Sequence, residues 1–237
     1  MERVILKISG EALGGIKKVG IDPVTVNEIA SEIKEAKDTS DVEIGIVVGG
    51  GNFFRGRDAE SLGMDRVSCD YMGMTGTILN AMALKNALLK INVKTEILTC
   101  LELPQALTTY TKKEAIKYLE DGYVVIYAGG TGRPYFSTDT ATLMRAVDTN
   151  ASTVLMAKNG VDGVYDKDPN VDKTAKKYDI LTHRDILLNN LGVMDLTAAT
   201  IANDNNINIR VFDMNAKGAV KDALLGKNIG TIIKKEI

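Results

Sequence analysis

A chain of 237 residues, 45% of them apolar, can bury the core of one large α/β domain or of two small ones. Its 29 basic and 31 acidic side chains leave a formal net charge of −2, which excludes an overall positive field that would recruit nucleic acid or an anionic membrane; an anionic substrate must be held by local groups. Cys69 and Cys100 have neither CxxC spacing nor a matching His cluster, so neither a disulfide framework nor a zinc site is indicated.

The N-terminal stretch from Met1 to Lys7 reaches a charge again after three apolar residues, too short for a signal peptide, and no run approaches membrane-spanning length. The expectation is a soluble, cytoplasmic protein. β-rich apolar runs at Val4 to Ile8, Glu43 to Val48, Thr95 to Thr99, Tyr123 to Ala128, Thr153 to Ala157, Asn208 to Phe212 and Thr231 to Ile233 alternate with helical patterns. This alternation predicts one wound, mostly parallel sheet with helical crossovers. Asp22-Pro23 opens the first long helix, with Val26, Ile29 and Ile33 on one face. From Arg66 to about Ile91, Met72, Ile78, Leu79, Met82 and Leu88 read as a long helix weakened by Gly73 and Gly76, its methionines serving as core filler. Thr111-x-x-Glu114 is a capping box for a helix that turns Ala115, Ile116 and Leu119 inward and ends near Gly122. No repeat, low-complexity tract or Pro-rich linker marks a domain boundary. The polar stretch from Asp162 to Asp179 is the longest loop-like segment, of a size that is more often functional than not.

Several residues along these elements could carry chemistry. Lys7 lies inside the first strand just before Ser9-Gly10, where its ammonium either snorkels to the surface or points into a site at the strand's C-terminal end. The second strand breaks into Gly49-Gly50-Gly51, with Arg55 four residues beyond, and offers bare N–H groups and a guanidinium to a phosphate unless the glycines simply form a tight turn. Ala128 to Asp139 repeats the theme with several hydroxyl-bearing side chains and one arginine, Arg133, before a helix start; it reads as a seat for a second phosphate or nucleotide moiety, or as a turn capped by Ser137 or Thr138. Around Asp162 to Pro169 the acids fail the EF-hand template, because Val171 and Lys177 occupy its sixth and twelfth positions. What remains there is either an Asx-type turn or a loop bracketing a nucleoside, with Tyr165 against a base and Asp168 accepting hydroxyls. The Walker loop, the G-x-S-x-G elbow, the H-E-x-x-H zinc motif and the G-x-G-x-x-G fingerprint are all missing; His183, the only histidine, reads as a surface or capping residue.

In chain order, Leu6 to Leu13, Gly49 to Gly56, Asp70 to Met74, Thr131 to Asp139, Val161 to Tyr165, Val193 to Leu196 and Ile209 to Phe212 resemble the bacterial-type uridylate (UMP) kinases of the amino acid kinase superfamily. The resemblance covers nearly the whole chain. It implies an α/β fold, a three-layer α/β/α sandwich around a mostly parallel sheet, built as one amino acid kinase-like domain over residues 1–237. It also implies transfer of the γ-phosphoryl group of ATP to UMP, in pyrimidine nucleotide biosynthesis, with Mg²⁺ bound mainly through nucleotide phosphates. Matched motif by motif, Lys7, Ile8, Ser9, Gly10, Gly51 and Arg55 would contact ATP phosphates, and Asn159, Tyr165 and Asp168 would enclose its nucleoside. Gly50, Asp70, Thr131, Gly132, Arg133, Pro134, Tyr135, Phe136, Ser137 and Thr138 would hold UMP. Lys7 and Arg55 would stabilise the migrating group, with Asp139 and Asp195 near Lys7 keeping its ammonium oriented and charged. The resemblance further implies a homohexamer activated by GTP and inhibited by UTP, with regulation tied to the loop Gly15, Ile16, Lys17, Lys18, Val19, Gly20. Two rivals are a kinase for carboxylate or carbamate acceptors, which the Asp70 carboxylate would disfavour, and a non-catalytic nucleotide-binding or oxyanion-storage protein, which would not need Lys7, Arg55, Asp139 and Asp195 together.

Overall fold

In the computed structural model, which describes residues 2–55, 63–189 and 191–236, the apolar runs become strands with bounds close to those expected. They are β1 (Arg3–Ile8), β2 (Glu43–Val48), β3 (Thr95–Thr99), β5 (Val124–Ala128), β6 (Thr153–Lys158), β10 (Asn208–Asp213) and β11 (Thr231–Lys234). Two short strands, β4 (Thr108–Thr109) and β9 (Ile180–Thr182), complete a nine-stranded sheet in the order β4-β3-β5-β2-β1-β6-β10-β11-β9. All its pairs are parallel except β10 with β11. Every residue of β2 is buried, as a strand covered on both faces requires. Within the Asp162 to Asp179 stretch, β7 (Val164–Tyr165) and β8 (Lys177–Tyr178) pair as a separate antiparallel ribbon. Gly56, the last residue of the second glycine motif, lies outside the described residues.

Helices cover both faces. Val4, Leu6 and Ile8 of β1 pack with α1 (Gly10–Leu13), α2 (Pro23–Thr39), α3 (Arg66–Lys90) and α8 (Ala219–Leu224). Ile5, on the opposite face by strand alternation, packs with α4 (Lys112–Glu120), α5 (Thr138–Thr149), α6 (His183–Asn189) and α7 (Leu196–Asp204). The result is the expected three-layer α/β/α sandwich. That alternation also turns Lys7 toward the face that carries α5, and this decides where the site forms.

The helix signals in the sequence hold where they rest on caps. Asp22 accepts the Thr25 N–H at 3.1 Å with Pro23 as the first helical residue of α2, and Thr111 accepts the Glu114 N–H at 3.1 Å at the start of α4. Two expectations fail. Met72 and Met82 are 41% and 38% exposed, and Leu79 is 43% exposed, because the inward stripe of α3 runs through Met74, Ile78, Ala81, Leu84 and Leu88 instead. His183 is buried rather than at the surface; burial pushes its pKa down, and a hydrogen bond with the Ile207 backbone opposes that shift. Thr182, not His183, takes the capping role by accepting the Asp185 N–H at 3.1 Å.

Gly73 and Gly76, which weaken the helical pattern, have a packing reason. A Cβ on Gly50 would come 2.2 Å from the Gly73 carbonyl oxygen, and one on Gly76 would come 3.1 Å from that of Gly50, so the second glycine loop lies directly on α3. The sheet core is the stability reserve behind this arrangement. Ile46→Ala, a cavity at a fully buried position of β2, is expected to lower the unfolding free energy by about 2–5 kcal/mol in a urea titration. An unchanged midpoint would contradict the packing described.

Candidate active site

The parallel strands β1, β2, β5 and β6 all run toward one edge of the sheet, and the loops that leave them meet there. Ser9 and Gly10 after β1, Gly49 to Gly51 after β2 and the Gly130 to Asp139 segment after β5 line a crevice of about 510 Å³ together with α3. Of the residues singled out from the sequence, Lys7, Ser9, Gly10, Gly50, Gly51, Arg55, Asp70, Arg133, Phe136, Ser137, Thr138 and Asp139 line it. Ile8 does not: its side chain is in the core, and only its carbonyl takes part, accepting the Gly49 N–H at 2.9 Å. Thr131, Gly132, Pro134 and Tyr135 belong to the same loop without lining the crevice, and Thr131 Oγ1 braces the turn by donating to the Arg133 carbonyl at 3.0 Å.

A second crevice, also about 510 Å³, opens beside the end of β6 and is lined by Asn159, Tyr165 and Asp168 together with Lys158, Leu191 and Val193. Asp162 accepts the Tyr165 hydroxyl at 2.6 Å and lies 2.9 Å from Lys177 Nζ, which fixes the aromatic ring on the wall. Asn159 Oδ1 accepts from Asn215 Nδ2 at 2.8 Å, and Asp168 Oδ1 accepts the Asn170 N–H at 2.9 Å.

Three ionisable groups stand between the crevices, Lys7 and Asp139 lining the first and Lys158 the second. Lys7 Nζ lies 2.8 Å from Asp139 Oδ1. Burial pushes the Asp139 carboxyl upward, but the ammonium groups of Lys7 and then Lys158 outweigh it and hold the pKa below the usual aspartate value. Lys158 itself is pushed down by burial, against the opposing pull of Asp139, with Lys7 adding to the depression; its Nζ donates to the Val193 carbonyl at 2.5 Å. Sequence reasoning missed Lys158. The signal was present, since Lys158 ends an apolar strand as Lys7 nearly does.

The remaining charged residues hold the loops. Arg55 pairs with Glu11 of α1, across the mouth of the glycine loop. Asp70 Oδ1 accepts from Arg66 Nε at 2.8 Å and Asp70 Oδ2 from the Tyr135 N–H at 2.8 Å, which supports Tyr135 at a φ of 73°. Ser137 caps α5, accepting the N–H groups of Asp139 and Thr140 at 3.0 and 3.1 Å, so the positive end of that helix faces the crevice. Asp195 bonds to the starts of two helices. It caps α7 by accepting the Ala198 N–H at 2.9 Å, and its carboxylate also receives the hydroxyls of Ser137 and of Thr140, the latter at 3.0 Å. Its bonds therefore position the α5 start rather than the Lys7 ammonium.

The loop from Gly15 to Gly20 lines neither crevice. Ile16 is fully exposed, and the loop is tied down at Gly20, whose N–H donates to the Asn52 carbonyl at 3.0 Å. Among the described residues no group of three or more His, Cys, Asp or Glu side chains could hold a metal, and no helix is long and apolar enough to cross a membrane.

A profile of the amino acid kinase family matches residues 2–213. The uridylate kinase of Pediococcus pentosaceus is 48% identical over 235 residues, spanning 99% of this chain and 97% of its own. Among solved structures, the UMP kinase from Ureaplasma parvum superposes with a TM-score of 0.92 at 40% identity, covering 99% of each chain. The UMP kinase from Bacillus anthracis superposes with a TM-score of 0.95 at 36% identity, covering 100% of this chain and 97% of that one.

The lowered pKa of Asp139 has a measurable consequence. A depressed carboxyl stabilises the fold above its unfolded value, and that stability is lost as the pH falls through the folded value. Asp139→Asn is therefore expected to flatten the acid limb of stability below about pH 4, where an ordinary aspartate titrates. A thermal midpoint that falls with pH in the variant as steeply as in the wild type would contradict the charge cluster.

Proposed function

We propose that this chain, which belongs to the amino acid kinase family and within it groups with the bacterial uridylate kinases, is a nucleoside monophosphate kinase that moves the γ-phosphoryl group of ATP onto UMP, giving UDP and ADP. The observation that carries this reading is the grouping of Lys7 and Asp139 on one crevice with Lys158 on another, each crevice large enough for a nucleotide. Phosphoryl transfer asks for two anions held in line and for neutralisation of the migrating charge, and little covalent work.

In this reading the second crevice takes the ATP nucleoside against Asn159, Tyr165 and Asp168, and its phosphates reach Lys7, Ser9, Gly10, Gly51 and Arg55. UMP enters the first crevice, its phosphate toward Gly50 and the α5 N-terminus, its ribose hydroxyls toward Asp70. Lys7 and Lys158 supply positive charge to the migrating group, and Arg55 joins them by exchanging Glu11 for phosphate oxygen. Asp139 keeps the Lys7 ammonium aimed, while Asp195 holds Ser137 and Thr140 in register. The acceptor oxygen of UMP is already anionic, so the step needs no general base. Mg²⁺ would accompany ATP, bound mainly through nucleotide phosphates, and would supply further charge neutralisation.

The same reading extends to a cytoplasmic homohexamer in pyrimidine nucleotide biosynthesis, activated by GTP and inhibited by UTP. The exposed apolar face of α3, with Val67, Tyr71, Leu79 and Met82, suits burial against other subunits. Lys17 and Lys18 on the exposed loop suit an effector phosphate.

In a coupled ADP-release assay across UMP, CMP, dUMP, carbamate, glutamate and aspartate, UMP is expected to be the preferred acceptor, and Lys7→Ala to lower kcat by roughly 10²–10³, about 2.7–4 kcal/mol. Turnover of the variant at the wild-type rate would remove Lys7 from the reaction. GTP is expected to raise and UTP to lower the rate at subsaturating and saturating ATP; flat curves for both would refute the regulatory part alone.

A further inference from the structure

Two buried amides lie under the glycine floor of the first crevice. Asn52 follows the three glycines, and Asn80 sits on the inward face of α3. Asn52 Nδ2 donates to Asn80 Oδ1 at 2.9 Å, and Asn80 Nδ2 donates back to Asn52 Oδ1 at 2.7 Å. The second amide proton of Asn52 goes to the Gly20 carbonyl at 2.5 Å, and that of Asn80 to the Gly49 carbonyl at 2.7 Å. All four side-chain protons are used. A buried polar pair satisfied in this way fixes one geometry, whereas a partly satisfied one would destabilise the core.

The pair joins the end of the 14–20 loop, the glycine turn after β2 and the inward face of α3. Asn52 grips Gly20 twice, through its side-chain donor and through its carbonyl, which accepts the Gly20 N–H at 3.0 Å. Gly20 ends the exposed loop whose Ile16 and Val19 project into solvent. On its other side the pair supports the phosphate seat: a Cβ on Gly10 would come 2.6 Å from Asn52 Oδ1, so the backbone after Lys7 rests on that amide. Gly10 and Gly49 to Gly51 all line the first crevice.

We propose that Asn52, paired with Asn80, is a positioning residue that transmits the state of the 14–20 loop to the glycine floor on which the phosphates are aligned. This deepens the kinase reading and rests on it. Asn52 need not touch a nucleotide. Anything that rearranges the loop shifts Gly20, and Gly20 is connected through two bonds to Asn52, which underlies Gly10 and pairs with the Asn80 amide that donates to the Gly49 carbonyl.

The test is a double-mutant cycle on the full chain. Asn52→Asp keeps the side-chain volume but removes both amide protons and sets carboxylate oxygens against Gly20 O and Asn80 Oδ1. A loop variant replaces Ile16, Lys17, Lys18 and Val19 together with glycine. Each is expected to lower kcat for ATP plus UMP by roughly 2- to 30-fold, the range of coupling carried by packed polar networks, with little change in either KM. The combined variant is expected to fall no further than Asn52→Asp alone. Multiplying losses, or a loss matched in full by a smaller folded fraction in thermal melts, would overturn the proposal. A second arm needs only the loop variant: amide hydrogen exchange at residues 49–54 is expected to accelerate with Asn52 intact, and unchanged exchange there would overturn the proposal even if Asn52→Asp does not fold. A wild type that fails to phosphorylate UMP would instead sink the kinase reading, and the exchange arm would still decide the coupling.

Discussion

The ion pair between Lys7 and Asp139 organises everything around it. An amine on a central strand of a sheet covered on both faces would be costly to bury alone, so its position demands a counter-charge from a neighbouring element. The first turn of α5 supplies that carboxylate, and Ser137 fixes the turn by capping the helix. Asp139 also faces Lys158, so two amines converge on one carboxylate between the crevices. Pairs of this kind are poor sources of net stability. Their physical justification here is chemical: amine groups, already partly desolvated, where an anionic group must pass between two bound nucleotides.

The surrounding backbone serves that cluster. The glycines after β2 let that loop lie directly on α3, Gly10 after β1 packs against Gly49 and Asn52, and these loops leave N–H groups available to a ligand. Asp70 restrains Arg66 and Tyr135, and Asp195 restrains Ser137 and Thr140, so two carboxylates hold the loop between β5 and α5 in shape. Beneath the floor, the Asn52 and Asn80 amides connect these loops to an exposed segment far from the reacting groups in function though not in bonding.

Much of this was readable in the chain because it rests on local signals. Strand bounds followed from β-branched runs, and the starts of α2 and α4 from Asp22-Pro23 and Thr111. Lys7 declared itself by being charged where an apolar strand should be. The strands β4, β7, β8 and β9 were not readable, since two or three residues carry no period. The face of α3 was misread because Met72, Leu79 and Met82 are as apolar as the residues that truly face the sheet; only the partner surface distinguishes them. His183 was misread for the converse reason, its burial being set by α6 packing on the sheet. Lys158 carried the same signal as Lys7 and was hidden beside the stronger motif at Asp162. The bonds of Asp195 could not be foreseen, because a capping aspartate and one aimed at an ammonium look alike in sequence.

The most direct test of the central claim is a structure of the protein with ADP, UMP and a planar metal fluoride standing in for the phosphoryl group in flight. The account predicts the fluoride between the two nucleotides, with Lys7 Nζ and the Arg55 guanidinium within hydrogen-bonding reach and Asp139 still on Lys7. A fluoride bound elsewhere, or those two cations facing bulk solvent in the ternary complex, would contradict it.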